Sequence, residues 1–292
     1  MASPLQADVY VSSRLPLAIK RQGEPSLFSP ISCTLIHGAK SAVLVDTPIS
    51  IAQTEDLAAW IKSTAPGKDL HYVYITHGHG DHWFGIATLR KHWPNLRAIA
   101  TPGTVAHMAE QVKPEIFEGT WLALFPGGQI PAVGELELAE ATTSSSFELE
   151  GHAFCAVEVG HTDTYNTTVL HIPSIRLVVA GDAVYGDVHQ YFGEANTAAK
   201  RQEWLRALDT IEALDPHTVV AGHKRAGTVD GLFNLYKTRQ YILDFEDAVG
   251  KASNWKQLAD DMRRRYPHRI NPHAILRGAV AAFPEGDAVA KV

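Results

Sequence analysis

Six consecutive residues, His77-Gly78-His79-Gly80-Asp81-His82, hold three histidines and an aspartate with glycine as the only spacer. Imidazole nitrogens and a carboxylate oxygen at this density suit zinc, and also manganese or iron, and no cysteine is present to add thiolate ligation. Metal ions held side by side activate water and polarise carbonyls, so hydrolysis is the expected reaction class. The two glycines remove Cβ bulk and let neighbouring side chains converge on one point. Three further candidates, His161, Asp182 and His223, each follow a glycine that closes an apolar run: Val157-Glu158-Val159-Gly160, Leu177-Val178-Val179-Ala180-Gly181 and Val219-Val220-Ala221-Gly222. A short side chain after strand and glycine sits at a sheet edge with room for a metal. Singly, each would more ordinarily be a cap or a hydrogen-bonded loop residue; with the first motif the three read as parts of one site.

The elements that must position these residues are legible from periodicity. The run Leu70-His71-Tyr72-Val73-Tyr74-Ile75 is β-branched and aromatic, so the histidine motif begins where a buried strand ends. Strands are expected at 31–37, 42–45 and 96–100 and helices at 51–63, 83–92 and 102–113, with Ser50 and Pro102 marking two helix starts. Residues 114–131, rich in Gly, Pro and aromatics, read as an irregular functional loop. The second half repeats the scheme. Strands are expected at 136–139, 147–150, 153–159, 168–172, 177–180 and 218–221, and helices at 198–214, 230–249 and 254–265 and after Asn271-Pro272. Strands then helices, twice, suggest two similar α/β halves packed sheet to sheet.

Composition narrows the class. The chain has 292 residues, 45% hydrophobic, enough for a substantial core, and a net charge of −6 that argues against a general nucleic-acid binder. Its two cysteines, Cys33 and Cys155, lie in apolar strand-like runs and are expected as free thiols. The opening Met1-Ala2-Ser3-Pro4-Leu5-Gln6-Ala7-Asp8 has neither a basic region nor an apolar core of the secretory kind. No apolar run is long enough to span a bilayer. A cytoplasmic protein acting on a small molecule, without nucleic-acid or membrane partners, is the expectation.

The residues His77, His79, Asp81 and His82, followed in order by His161, Asp182 and His223, resemble the HxHxDH signature and downstream ligands of the metallo-β-lactamase-fold hydrolases. The resemblance spans roughly 31–224; it is specific to the superfamily and far less so to a substrate. It implies an α/β fold, a four-layer αββα sandwich with metals at one edge of the two sheets. Residues 1–250 would form the catalytic domain and 251–292 a helical C-terminal extension serving as lid or homodimer arm. Carried over by position, His77, His79 and His161 would hold one metal, Asp81, His82 and His223 a second, and Asp182 would bridge them. Asp46 matches a supporting aspartate behind the motif loop. With the set complete, two divalent ions, zinc first and manganese or iron as alternatives, are implied. A metal-held hydroxide would attack the substrate carbonyl while Asp81 orients it or shuttles its proton.

Tyr185, three residues beyond Asp182, is similar to the tyrosine of N-acyl-homoserine-lactone lactonases that contacts the substrate carbonyl, and is the candidate proton donor. Trp83, Trp121, His189 and Tyr191 are secondary candidates to line the pocket. The remaining histidines read as surface or packing residues. The cluster Arg263-Arg264-Arg265 with Arg269 reads first as a solvated helix face and second as an anion or subunit contact. The expected activity is opening of a cyclic ester or amide, a lactone or lactam. The alternatives are a thioester hydrolase of the glyoxalase II type and an iron-dependent oxidoreductase on the same ligands.

Overall fold

The computed structural model describes residues 4–21 and 24–283. Its strands are β1 (Gln6–Val11), β2 (Pro16–Arg21), β3 (Glu24–Leu27), β4 (Ser32–His37), β5 (Ser41–Val45), β6 (Asp69–Tyr74), β7 (Arg97–Ala100), β8 (Glu140–Ala141), β9 (Ser146–Leu149), β10 (His152–Gly160), β11 (Thr167–Ile172), β12 (Leu177–Val179), β13 (Tyr185–Gly186), β14 (Thr218–Val220) and β15 (His223–Lys224). The helices are α1 (Ile51–Thr64), α2 (Ile86–His92), α3 (Pro102–Gln111), α4 (Pro114–Ile116), α5 (Ala198–Ala213), α6 (Phe233–Lys251), α7 (Trp255–Arg265) and α8 (Pro272–Ala282).

Two mixed sheets carry the molecule, in the orders β1-β4-β5-β6-β7-β8 and β14-β12-β11-β10-β9. Side-chain alternation along each strand builds three apolar layers. In β5, Val43 and Val45 face the second sheet, where they meet Phe154, Leu170 and Val179, while Ala42 and Leu44 face the helices. On that outer side Leu57 and Ile61 of α1, Leu89 of α2 and Met108 of α3 complete one layer. On the far side of the second sheet, Val169, Val178 and Val219 pack under Trp204, Phe245, Met262 and Ile275. Helices, sheet, sheet and helices give the αββα sandwich. The helices α7 and α8 bury Leu258, Met262, Ile275 and Ala279 in the same apolar layer as α5 and α6. Residues 284–292 of the expected extension lie outside the described residues. Among the described residues, no helix is long and apolar enough to cross a membrane.

The two sheets are joined at one edge by direct hydrogen bonds: Thr168 N donates to Thr76 O (2.9 Å) and Ser32 N to Gly222 O (2.8 Å). Thr76 and Gly222 each sit one residue before a candidate metal ligand, so these bonds fix the two sides of the site relative to each other.

Several local expectations shift. The N-terminal strands β1 to β3 had no clear sequence signal. The helix expected at 83–92 begins at Ile86, after a single 3₁₀ turn at Gly80–His82. The intervening residues are pinned instead: the Trp83 indole donates to Gly78 O (2.8 Å) and Gly85 N to Thr47 Oγ1 (3.0 Å). Residues 136–139 form no strand; pairing with β7 comes at Glu140–Ala141. The loop at 114–131 contains the short α4 and one π-helical stretch, Phe117–Leu122. Cys33 and Cys155 are both free, the first buried.

Candidate metal centre

The motif strand β6 delivers its loop into the junction of the two sheets. Thr76, His77 and His82 are wholly buried, and Asp81 and His79 nearly so. Among the described residues, potential ligand atoms gather there in four overlapping groups: Asp46 with His77 and His82, His79 with His107 and Glu194, and two further clusters. In one, His77 Nε2 and His79 Nδ1 lie 4.0 and 3.0 Å from Asp163 Oδ2. In the other, His223 Nε2 lies 3.4 Å from Asp81 Oδ2, and His82 Nε2 lies 3.9 Å from the same oxygen. Asp182 joins this second cluster, its Oδ1 3.3 Å from His82 Nε2 and its Oδ2 3.3 Å from His223 Nε2.

The hydrogen bonding behind the rings decides which nitrogens are available. His82 Nδ1 lies 2.9 Å from Asp46 Oδ2, and His77 Nδ1 3.0 Å from Thr76 Oγ1, whose hydroxyl donates to Asp46 Oδ2 at 2.8 Å. His223 Nδ1 faces the Pro30 carbonyl at 2.8 Å. Since these partners accept, each Nδ1 donates, and each Nε2 is the nitrogen that can turn a lone pair to a metal. His77 Nε2, His82 Nε2, Asp163 Oδ2 and Asp182 Oδ1 are all buried without a hydrogen-bond partner. Four orphaned polar atoms concentrated in one place are costly unless something outside the chain satisfies them. Divalent metal fits: nitrogen and oxygen donors converge, and acceptors behind the rings fix the tautomers that ligation needs.

Charge follows the same geometry. Burial alone would raise Asp182, yet His223 and His82 hold it well below the usual carboxylate range. Burial opposes protonation of His223, but Asp182 and Asp81 raise it to about 10. Burial, with His82 beside it, keeps His77 well below the usual imidazole range. Metal binding at the second cluster therefore has to displace protons.

Glycine makes the close approach possible. A Cβ on Gly222 would sit 2.3 Å from Asp182 Oδ1 and 2.5 Å from the Gly181 carbonyl carbon. Gly181 has φ +50°, and a Cβ there would sit 2.3 Å from Thr76 Oγ1. The glycine before Asp182 thus answers to crowding against the motif loop and the glycine before His223 to crowding against the Asp182 loop, whereas a Cβ on Gly160 would meet nothing within 4 Å.

Of the candidate residues, His77, His79, Asp81, His82, Asp182 and His223 converge on the two clusters, with Asp46 directly behind them. His161 does not. It is half-buried, its Nδ1 2.9 Å from the Thr162 carbonyl, and it belongs to no ligand cluster among the described residues. A bulge at the end of β10 and the positive φ of Gly160 (+81°) shift the chain, and the wholly buried Asp163 reaches the centre instead. Tyr185 lies in a different setting from the substrate-contacting one expected. It is 1% exposed, donates to Asp182 Oδ2 at 2.6 Å and stacks on His223. Trp83 and Trp121 are structural: the first braces Gly78, and the second donates to Gln111 Oε1 (3.0 Å) and packs on Phe84. His189 is buried against Tyr241 Oη (2.8 Å), whereas Tyr191 does border the centre, its ring edge-on to His79 at 5.8 Å. Arg263, Arg264 and Arg265 pair with acidic residues of α6 and α7, and Arg269 lies over the Tyr241 and Tyr266 rings.

Besides Asp163, Glu194 escaped the sequence reading. It accepts from Thr164 Oγ1 (2.6 Å) and lies 2.9 Å from His79 Nε2, so it backs His79 as Asp46 backs His82. Burial works against its ionisation, but His79 holds its carboxyl down at about 2. No motif marks Glu194; only the folded loop brings it to His79. His107, read as a packing residue, stands beside these two.

Comparison with known proteins agrees with this geometry. The sequence profile described as the metallo-beta-lactamase superfamily matches residues 27–223, more than half of the chain. A type 2 metallo-beta-lactamase of Bacteroides fragilis is 23% identical over 224 residues, 76% of this chain and 79% of that protein. Among solved structures, a metallo-beta-lactamase from Pontibacter korlensis aligns over 82% of this chain and 100% of its own, with TM-score 0.57 and 19% identity. The metallo-beta-lactamase FIM-1 from Pseudomonas aeruginosa, solved in its mono-zinc form, aligns over 81% and 95%, with TM-score 0.55 and 18% identity. At such identities the structures bear on the fold alone, and they share it. With the profile match and the His/Asp clusters in hand, the chain belongs to the metallo-beta-lactamase superfamily.

Proposed function

We propose that this protein is a binuclear metal-dependent hydrolase that opens a cyclic ester or amide of a small molecule. The observation that carries the reading is the set of orphaned buried atoms, His77 Nε2, His82 Nε2, Asp163 Oδ2 and Asp182 Oδ1, spread over two adjacent clusters. Two divalent ions in such a site polarise a carbonyl and lower the pKa of water. The chain's own residues supply the rest. Asp182, facing both His82 and His223, would join the ligands of the second position and, in this reading, would be the carboxylate shared with the first. Asp81, at 5% exposure, presents a carboxylate next to His223 and can orient a nucleophile or take its proton. The Tyr185 hydroxyl keeps its proton, because burial and the Asp182 charge both raise its pKa, and so fixes Asp182 in one orientation. Tyr191 and Glu194 flank His79, and both are partly exposed.

The relative named as a metallo-beta-lactamase supports ring-opening of a cyclic amide over phosphodiester cleavage. Thioester hydrolysis would use the same ligands. An oxidoreductase reading draws on the two-histidine, one-carboxylate make-up of the first cluster, which also suits iron. Metal analysis combined with a panel of lactones, lactams, thioesters and phosphodiesters, with oxygen uptake followed in parallel, separates these. Turnover of lactones or lactams that stops on metal removal and returns on reloading is expected. Oxygen consumption without hydrolysis of any of the four classes would overturn the proposal.

A further inference from the structure

We propose that the first metal position is a two-histidine, one-carboxylate site, His77 Nε2, His79 Nδ1 and Asp163 Oδ2, and that His161 is not a ligand. The inference rests on the two-metal reading above and departs from the three-histidine set that sequence resemblance implies. Asp163 is wholly buried, and only one of its oxygens is used within the chain, Oδ1 accepting from Thr162 Oγ1 at 2.9 Å. Its Oδ2 has no hydrogen-bond partner although His79 Nδ1 is 3.0 Å away. The two atoms are close without the alignment of a hydrogen bond, as expected when both aim at a third point between them. His77 Nε2 is the other orphan facing that point.

Asp163 is also held in place. Thr162 Oγ1, which donates to it, lies 2.9 Å from Thr167 Oγ1, and Thr167 Oγ1 in turn donates to Thr164 O at 3.1 Å, closing the loop after β10. His161 has the opposite character: half-buried, with its Nδ1 against the neighbouring carbonyl.

The exchange alters the electrostatics. Asp81, Asp163 and Asp182 place three carboxylates around the ions, where the three-histidine arrangement would place two. Two divalent cations would then carry a net charge of +1 with their carboxylates instead of +2. A harder, more anionic donor set tolerates manganese and iron better relative to zinc than an all-imidazole set does. The first position is therefore the one at which metal identity varies.

The test is metal binding, independent of any substrate. Wild type, Asp163→Asn, Asp163→Ala and His161→Ala are stripped, checked for native far-UV circular dichroism, and titrated with zinc and with manganese against a chromophoric chelator. The Asn variant is nearly isosteric and can keep the Thr162 contact, which guards against loss of fold in the Ala variant. Wild type and His161→Ala are expected to bind two ions per chain. Asp163→Asn and Asp163→Ala are expected to keep one tight ion and weaken the other by about 100-fold or more, beyond the 10–100-fold that outer partners of a ligand carry. If His161→Ala loses an ion and Asp163→Asn keeps two, this assignment is wrong while the two-metal reading stands. Wild type saturating with fewer than two ions would overturn both.

Discussion

Asp46 is the point at which one substitution should disturb both metal positions. Its carboxylate is 1% exposed and accepts from three donors: Thr76 N (2.9 Å), Thr76 Oγ1 (2.8 Å) and His82 Nδ1 (2.9 Å). Because the Thr76 hydroxyl proton points at Asp46, Thr76 Oγ1 is left to accept from His77 Nδ1. One acceptor-only group thus holds the proton on Nδ1 of His82 directly and of His77 through a hydroxyl, so that Nε2 is the metal-facing nitrogen of both. Asp46→Asn preserves shape, and asparagine tolerates the left-handed backbone at this position (φ 60°). Its amide oxygen can still accept from Thr76 N, but its NH₂ then faces Thr76 Oγ1 and His82 Nδ1. Both bonds reverse. His82 is pushed to the Nε2–H tautomer, and Thr76, now accepting from the amide, donates to His77 and pushes it the same way. Loss of such orienting partners costs about 10–100-fold in metal affinity, or about 1.4–2.7 kcal/mol at each position. Competitive titration with a chromophoric chelator on variant and wild type reads both affinities directly. If Asp46→Asn binds two ions as tightly as wild type, the tautomer argument is wrong.

Gly222→Ala should drive a methyl group against Asp182 Oδ1 and the Gly181 backbone, at 2.3 and 2.5 Å, and strip metal from the second cluster; a variant retaining two ions would show that the loops can yield. Tyr185→Phe removes a hydrogen bond to a buried carboxylate, about 1.5–3 kcal/mol, and should lower kcat and metal retention with KM unchanged. A change confined to KM would mean that the phenol touches substrate. His189 gives the pH dependence. Burial first, with Arg269 and Arg263 adding to it, pushes it down to about 3, against about 6.5 in an unfolded chain. Its folded pKa is depressed, so its contribution to stability is complete above pH ~6.5 and is lost as pH falls toward 3, about 2 kcal/mol of it by pH 5. Urea unfolding across that range should show a shallower pH slope for His189→Gln, and an identical slope would remove His189 as the cause.

Much of the site was legible because its chemistry is local in sequence. The motif loop concentrates four ligand candidates behind one buried strand, and Asp182 and His223 follow glycines whose hydrogens sit against the opposite loop. Fold class was legible for a related reason: β5 and β12 are apolar on both faces, as strands between a helix layer and a second sheet must be. What escaped was set by geometry at a distance. The choice between His161 and Asp163 depends on a bulge and a positive φ two residues wide, which residue types do not announce. Glu194 becomes a partner of His79 only when a loop 115 residues away folds over it. Tyr185 was recognisable as important but not in its orientation, since a phenol at that spacing can face either the substrate or the aspartate.

Anomalous scattering from crystals grown with saturating zinc or manganese tests the central claim most directly. Two peaks per chain are predicted, about 3.5–4 Å apart as in other two-metal sites, one among His77, His79 and Asp163, the other among Asp81, His82 and His223, with Asp182 between them. A single peak at saturation, or metal bound away from these side chains, would contradict the account.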